Sequence, residues 1–345
     1  MISDPKLIMN TQKLVLVSPA SMQVMEYNGC QGNARKVQFG PLLNSRKHFE
    51  VWGSCNGFLL ITVTKSRELF IWNMVTGESK KLTTVELGWY SYFGFGYDHS
   101  SDDYKIVNLR QYIGGAIYSM RKSSWRYDRE IPCSGANHDV RKKGGILANN
   151  ALHWHATYKS KSLQTREGSC IIICSNGGVC VDNCGWTMHQ VIYRFDLVDE
   201  TGVLILPPDG TDTESGYEFM DFKGYLCLSQ NQNGSCIEMW ILRGENDQLN
   251  WIKLMSIPCL NWGWGIESLM PIHFSRNGDI LLNIRPSDSI VYDSLRRPLK
   301  RMKTIFYSYN PIEQISKRVR IHGIRSWTSE ITYSESLISL NQSNS

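Results

Sequence analysis

The sequence has no apolar run near the roughly 20 residues that a membrane-spanning helix needs. Its first residues include Asp4, Pro5 and Lys6, where a secretory signal would place an apolar core. Stretches with helical periodicity are also scarce, and the best candidate is a short one at 334–340. These absences argue against a membrane or secreted protein. They predict an intracellular protein, cytoplasmic or nuclear, whose 10 cysteines are reduced thiols.

Concentrated positive charge is lacking too. The formal net charge is +5 and the pI is near 8.6, with basic residues spread along the chain and one denser run at 296–303. A dedicated nucleic-acid binder usually gathers its charge on one face and has a higher pI. We therefore predict no nucleic-acid partner and interpret the run as a solvated loop, the alternative being a nuclear-import or RNA-contacting segment.

Aromatic residues and glycine are plentiful, with 11 Trp, 16 Tyr, 11 Phe and 28 Gly. Aromatic and β-branched residues suit strands, and glycine suits tight turns. Short apolar runs recur between Gly, Asn, Asp and Ser, which is typical of many short antiparallel strands. The predicted strands are 58–64, 69–72, 105–109, 170–174, 191–195, 225–228, 236–242, 280–284 and 304–309. The sequence thus predicts an all-β protein.

A weak internal repeat predicts hairpins, each with a polar turn between two strands. The copies lie at 69–82, 116–126, 191–206, 237–254 and 305–321. Trp72 and Tyr118 are 46 residues apart, and Phe195 and Trp240 are 45 apart, near the length of one four-stranded propeller blade. The 77 residues between Tyr118 and Phe195 indicate one blade plus an insertion near 157–190. We predict a β-propeller of five to seven blades.

Several motifs in these segments resemble those of plant F-box-associated domains of the kelch type. They are GSCNGFLL (53–60), FIWNMVTG (70–77), FGFGYD with DYKIV (93–98 and 103–107), GGILANNALHWHA (144–156), FD with LPP (195–196 and 206–208) and IEMW (237–240). In the glycine motif, Gly94 and Gly96 alternate with aromatic residues. One face of that strand is therefore bare backbone, which lets a neighbouring segment approach closely.

The resemblance implies a kelch-like propeller that binds a protein substrate within an SCF-type ubiquitin ligase, without catalysis or a cofactor of its own. In an intact relative, an N-terminal F-box binds a Skp-type adaptor and, through it, a cullin. Residues 1–10 resemble only the end of an F-box, so 11–333 is the expected propeller domain and 334–345 a tail. We expect this chain alone not to bind the adaptor.

Two groups of residues in the sequence have side chains that commonly bind metal ions. Cys170, Cys174, Cys180 and Cys184 lie within 15 residues, but structural zinc sites favour two-residue gaps, and these gaps differ. Cys170 and Cys174 instead flank an Ile triplet, as ends of a buried strand would. His153 and His155 share a strand face, but no third ligand accompanies them, so they are interpreted as core or rim histidines. No metal site is predicted.

Catalytic motifs are absent from the sequence in any convincing frame, including Gly-x-Ser-x-Gly and phosphate-binding loops. Partner binding is assigned instead to two glycine-flanked aromatic clusters, Trp89, Tyr90 and Tyr92, and Trp262 and Trp264. The alternative is that these rings fill gaps between blades. Two other functions stay open: a stand-alone lectin-like or enzymatic propeller, and a truncated non-functional F-box paralogue.

Overall fold

Twenty-six strands build the part of the chain that the computed structural model describes. That part comprises residues 8–18, 21–27, 31–38, 48–63, 68–82, 92–110, 114–129, 131, 144–160, 170–173, 187–211, 217–232, 235–244, 249–259, 266–275, 278–286, 305–324 and 329–340. Within these ranges no residue is helical, and no helix there is long and apolar enough to cross a membrane.

The strands form six antiparallel sheets, which are the blades of a propeller. Blade 1 holds β1 (Ile8–Ser18), β2 (Ser21–Tyr27), β3 (Gly32–Lys36), β25 (Ile321–His322) and β26 (Ser329–Ser336). Blade 2 holds β4 (Phe49–Cys55), β5 (Phe58–Val63), β6 (Glu68–Asn73) and β7 (Ser79–Lys81). Blade 3 holds β8 (Tyr92–Asp98), β9 (Asp103–Arg110), β10 (Gly114–Ser119) and β11 (Ser124–Asp128).

The remaining three blades follow the same pattern. Blade 4 holds β12 (Ile146–Ala148), β13 (Ala151–Ser160), β14 (Cys170–Ile173), β15 (Thr187–Asp196) and β16 (Gly202–Ile205). Blade 5 holds β17 (Glu218–Phe222), β18 (Tyr225–Gln232), β19 (Cys236–Arg243) and β20 (Asn250–Pro258). Blade 6 holds β21 (Ile266–Phe274), β22 (Ile280–Pro286), β23 (Ile305–Asn310) and β24 (Ile315–Val319). The predicted propeller of five to seven blades is therefore confirmed, with six.

Blade 1 closes the ring because it combines both ends of the chain. Strand β26 pairs antiparallel with β1, from Val17 opposite Ser329 to Ile8 opposite Ser336. Strand β26 is thus the innermost strand of a blade whose next three strands, β1, β2 and β3, come from the start of the chain. Lys13 adds a side-chain tie, with its Nζ 2.7 Å from Oε1 of Glu335.

The core is divided among the seams between blades, and every one of the six seams is filled by buried apolar side chains. The largest cluster joins blades 2, 3 and 4, through residues such as Phe58, Phe95 and Trp154. Four further clusters fill the seams of blades 1 and 2, 4 and 5, 5 and 6, and 6 and 1. Burial of this apolar surface stabilises the ring as one unit.

The glycine motif at 93–98 confirms the prediction of close approach. A Cβ atom on Gly94 would lie 2.5 Å from Cζ2 of Trp154, and one on Gly96 would lie 2.4 Å from Cδ1 of Leu197. Both neighbours belong to the blade 4 side of the seam. Only glycine therefore lets blade 4 pack at this distance from β8.

Each predicted strand coincides with a strand of the structure, and each predicted hairpin is the outer half of a blade, for example β6 with β7. The insertion is explained in part by β14, which pairs with the far end of β13. The helical candidate at 334–340 is wrong, because its first residues complete β26 and the next three have no regular structure. The expected boundary between domain and tail at 333 and 334 falls inside that strand.

Candidate functional site

A central cavity of about 440 Å³ lies among the described residues. It is lined by residues from the innermost strand of every blade: Phe95, Met270, Ile331 and parts of β4, β12 and β17 among them. Each innermost strand lies at one end of its sheet and pairs with a neighbour on one side only. Its other edge faces the axis of the propeller. The cavity is therefore the channel of the propeller, as expected where blades are arranged radially.

The two ends of this channel differ in which connections between strands lie there. Innermost strands run in the same direction, as the parallel bridge between Gly94 of β8 and Gly145, next to β12, shows for two neighbouring blades. We call the end where these strands begin the entry end. We call the other the turn end, because tight turns there lead from the first strand to the second and from the third to the fourth.

Turns with positive φ form the rim of the channel at the turn end. Asn56 and Gly57 have φ of 47° and 84°, Asn149 and Asn150 have 49° and 55°, and Lys223 and Gly224 have 51° and 87°. These values suit type I′ hairpins, which match the strand twist and favour Asn and Gly. Asn149 also ties blade 4 to blade 5, since its Nδ2 donates to Leu242 O and its Oδ1 accepts from Leu226 N.

Among the described residues that line the channel, the charged side chains are all acidic. Glu218, Asp221 and Glu330 are among them, while none of the lining residues is Lys, Arg or His. Burial raises the pKa of Asp221 to about 6, although a hydrogen bond from the Gly224 amide opposes the shift. The channel thus differs in sign from the whole chain, whose net charge is +5.

The described lining of the channel includes a thiol and hydroxyl groups, whose burial and hydrogen bonds bear on their reactivity. Its one cysteine, Cys55, is 8% exposed, and burial raises the pKa of its thiol to about 12, so the thiolate nucleophile is scarce at neutral pH. The hydroxyl of Ser54 donates to the Thr332 carbonyl. Among the described residues, no group of three or more His, Cys, Asp and Glu is arranged to hold a metal ion.

An ion cluster lies at the turn end between blades 3 and 4. Nζ of Lys105 is 2.8 Å from Oδ2 of Asp98 and 2.7 Å from Oε1 of Glu200, and it donates to the Leu197 carbonyl. Asp98 is 1% exposed and also accepts hydrogen bonds from Ser100 and Ser101. Burial opposes its ionisation, but the hydrogen bonds from Lys105, Ser101 and Ser100 hold the pKa of Asp98 well below its usual range. These contacts make the turn at 98–103 a structural clamp between blades 3 and 4.

The internal repeat has a physical basis at the turn after the third strand in blades 2, 4 and 6. In blade 2, Oδ1 of Asn73 accepts hydrogen bonds from the amides of Val75 and Thr76. Asp196 does the same for residues 198 and 199, and Asn310 for residues 312 and 313. A side-chain acceptor here stabilises the turn to the fourth strand.

The predicted partner-binding residues fall into two groups. Tyr92 is 1% exposed and lies edge-on to Trp52 at 6.5 Å between ring centroids, so it occupies a core position, as the gap-filling alternative requires. Trp89, Tyr90, Trp262 and Trp264 lie outside the described residues. They directly precede β8 and β21, two strands that begin at the entry end. Their role stays a prediction.

The histidine interpretation is confirmed, since His153 is fully buried and His155 is 6% exposed. His155 stacks on Phe219 across the seam of blades 4 and 5, with ring centroids 3.9 Å apart. Of the cysteine cluster, Cys170 begins β14, whereas Cys174, Cys180, Cys184 and the basic run at 296–303 lie outside the described residues. The described thiols of Cys55, Cys227, Cys236 and Cys259 are free.

Sequence reasoning missed the three channel carboxylates. Glu218, Asp221 and Glu330 are far apart in the chain and lie in no motif, so only the radial arrangement of the blades brings them to one cavity. A signal existed for Asp221 alone, because it precedes the Lys223-Gly224 turn and the predicted strand at 225–228. That signal marks a hairpin rather than a channel.

Comparison with known proteins agrees with this architecture. The model of the F-box associated beta propeller domain matches residues 7–340. An F-box/kelch-repeat protein of Arabidopsis thaliana is 27% identical over 256 residues, covering 71% of this chain and 61% of its own. The Arabidopsis F-box protein CPR1 is 24% identical over 295 residues, covering 76% and 65%.

The chain therefore spans less than two thirds of the length of these relatives. A dipeptidyl peptidase 4 structure from Porphyromonas gingivalis covers 88% of this chain at 9% identity, with a TM-score of 0.40, and 52% of that chain is covered. A likeness at that level bears on neither fold nor function. The match of the family model over nearly the whole chain, together with the six blades, shows that the chain belongs to the F-box-associated β-propeller family.

Proposed function

We propose that this propeller holds a protein substrate for an SCF-type ubiquitin ligase and performs no bond chemistry itself. The observation that carries the proposal is the family membership over residues 7–340, joined to a ring whose six seams are all filled. A rigid ring fixes the position of a bound target. Holding a target near a ubiquitin-conjugating enzyme raises its local concentration, so positioning is the contribution to catalysis.

The target is proposed to bind at the entry end. Strand β1 is antiparallel to the innermost strand β26, so β1 begins at the turn end. A preceding adaptor-binding segment would join the ring at that end and leave the entry end free for the substrate. The aromatic residues Trp89, Tyr90, Trp262 and Trp264 precede strands that start at the entry end, and Trp and Tyr are common at binding hot spots.

The test compares residues 1–345 alone with the same chain fused behind an F-box segment, both expressed in plant cells. The fused chain is expected to recover a Skp-type adaptor, a cullin and a target protein, and to lower the target's level unless the proteasome is inhibited. The chain alone is expected to recover the target without the adaptor. The matched control is the fused double variant Trp262→Ala and Trp264→Ala, which should recover adaptor but not target.

Two outcomes would contradict the proposal in different ways. Adaptor recovered by residues 1–345 alone would show that adaptor binding does not need an F-box. A bound protein whose level and ubiquitination do not respond to the fused chain would show that binding serves another purpose, as in a lectin-like propeller. We also propose a cytoplasmic or nuclear location, which a fluorescent fusion found in another compartment would contradict.

A further inference from the structure

Residues 337–340, which we call the C-terminal strap, continue beyond the strand that closes the ring. Strand β26 ends at Ser336 in blade 1, yet Ile338 is 7% exposed and belongs to the apolar cluster of blades 2, 3 and 4. Leu340 packs against the same cluster. The chain therefore passes from blade 1 onto the turn end of its neighbour.

Asn73 holds the strap through its side-chain amide. This residue is fully buried, and its Nδ2 donates to the carbonyl oxygens of Ser336 and Ile338, both at 3.0 Å. Its Oδ1 is occupied by the turn amides of blade 2, at 2.9 and 3.3 Å. One side chain thus joins the turn of blade 2 to the end of the chain.

Glu78 holds the far end of the strap. Its Oε1 accepts from the Ser339 hydroxyl at 2.8 Å, and its Oε2 accepts from the Leu340 amide at 2.8 Å. The approach is close at the near end as well, because a Cβ on Gly57 would lie 2.3 Å from Cβ of Ser336. Tyr333, in β26, donates its hydroxyl to the Gly57 carbonyl at 3.2 Å. All of these contacts join blade 2 to the C-terminal segment.

The choice of asparagine in blade 2 is informative. At the corresponding place in blade 4, Asp196 stabilises its turn with a carboxylate, so the turn itself needs only an acceptor. In blade 2 the side chain must also donate, since both strap partners are carbonyl oxygens. A carboxylate cannot donate when ionised. Asparagine is the side chain of this size that satisfies the turn and the strap together.

We propose that the strap, held by Asn73 and Glu78, is a lock on the ring that keeps β26 in place as a wall of the channel. Strand β26 supplies Glu330, Ile331, Thr332 and Ser334 to the channel lining. Release of the strap would free the end of this strand and open the channel at the seam of blades 1 and 2. The proposal is independent of the ubiquitin-ligase function.

The test uses the full chain and the substitution Asn73→Asp, which keeps the turn acceptor and removes the donor. Two amides report on the strap: Ile338, which donates to the Ser336 hydroxyl, and Leu340, which donates to Glu78. Their hydrogen exchange is expected to become at least tenfold faster. Asn310→Ala is the control. It removes the side-chain oxygen that accepts from the turn amides in blade 6, and it should leave exchange in the strap unchanged.

Cysteine labelling separates release of the strap from general unfolding. Cys55 lines the channel and shares an apolar cluster with Ile338, whereas Cys227 is fully buried in blade 5. In Asn73→Asp, a small thiol reagent is expected to label Cys55 at least tenfold faster and Cys227 at the unchanged rate. Equal acceleration of both cysteines, or of neither, would overturn the proposal.

A milder variant keeps the test decisive if Asn73→Asp does not fold. Glu78→Ala removes both oxygens that accept from the Ser339 hydroxyl and the Leu340 amide. It should accelerate exchange at Leu340 and labelling of Cys55, again without acceleration at Cys227. An unchanged strap in this folded variant would equally contradict the lock.

Discussion

The two ends of the propeller are built on different principles. At the turn end, the described connections are tight, with positive-φ turns such as Asn56-Gly57 and side-chain acceptors such as Asn73 and Asp196 that satisfy turn amides. The Lys105 ion cluster lies there as well. Several connections between strands that meet at the entry end are longer in sequence, and they include Trp89 and Tyr90, Trp262 and Trp264, the cysteine cluster and the basic run at 296–303.

This difference separates what specifies the fold from what specifies the partner. The motifs that resemble the family, such as SCNG, WNMVTG and the paired DYK segment, end at the turns, ion pairs and glycine contacts of the turn end. Their residues are fixed by backbone geometry and buried polar groups, which leave little freedom. Loop residues outside such contacts are freer to suit a partner, so we expect the choice of partner to depend on the longer connections of the entry end.

The largest expected effect comes from breaking the ion cluster of the turn end. Lys105→Met would leave Asp98 buried without its cation, so the free energy of unfolding is expected to fall by about 3 kcal/mol or more. Lys253→Met is the control, because Lys253 pairs with Glu238 on the surface, where such pairs contribute less than about 1 kcal/mol. Denaturant unfolding of both variants measures the difference, and equal losses would contradict the clamp.

The glycine contacts in the seam of blades 3 and 4 should give the next largest effect. Gly94→Ala would place a Cβ 2.5 Å from the Trp154 ring and is expected to lower the free energy of unfolding by about 2–3 kcal/mol through overpacking. Gly53→Ala is the matched change in the innermost strand of blade 2, where the nearest atom would be 3.8 Å away. Its unfolding free energy should stay within about 0.5 kcal/mol of the wild-type value.

Acid should loosen the seam of blades 4 and 5 through His153. Its Nδ1 lies 3.3 Å from the Ile146 carbonyl and must donate to it, and burial lowers the pKa of the ring to about 3 from 6.5. Because the unfolded chain binds the proton more tightly, stability is full above pH 6.5 and falls as the pH decreases. Between pH 7.5 and pH 5 the loss from this residue is about 2 kcal/mol.

The measurement is the free energy of unfolding at both pH values for the wild type and two variants. His153→Asn keeps a donor for the Ile146 carbonyl but does not titrate, so its loss at pH 5 should be smaller by about 2 kcal/mol. His322→Gln, at an exposed position, is the second variant and serves as the control for replacing a histidine. If the stability of His153→Asn still falls as much as that of the wild type at pH 5, another residue causes the pH dependence. One candidate is His273, because burial also lowers its pKa.

Sequence reasoning predicted the strands and blades because each depends on local signals, such as the alternation at 93–97 and the turn residues at 55–57. It missed blade 1 as a repeat, since two of its five strands, β25 and β26, come from the other end of the chain. It also took 334–340 for a helix, because the pairing of β26 with β1 outweighs local preference. The channel carboxylates and the strap depend on contacts between distant segments, such as Asn73 with Ile338, which no local pattern records.

The smallest effect on stability is expected for Trp262 and Trp264, which precede β21. This prediction tests the difference between the two ends of the propeller most directly. If Trp262 and Trp264 contact a partner, replacing both by alanine should change the free energy of unfolding by less than about 0.5 kcal/mol per residue while abolishing target recovery. Loss of a buried Trp would instead cost about 3–5 kcal/mol. Thermal unfolding of the purified double variant, measured beside its binding, therefore separates a binding surface from rings that fill gaps between blades. A large loss of stability would place these rings with Tyr92, which is already buried in the core.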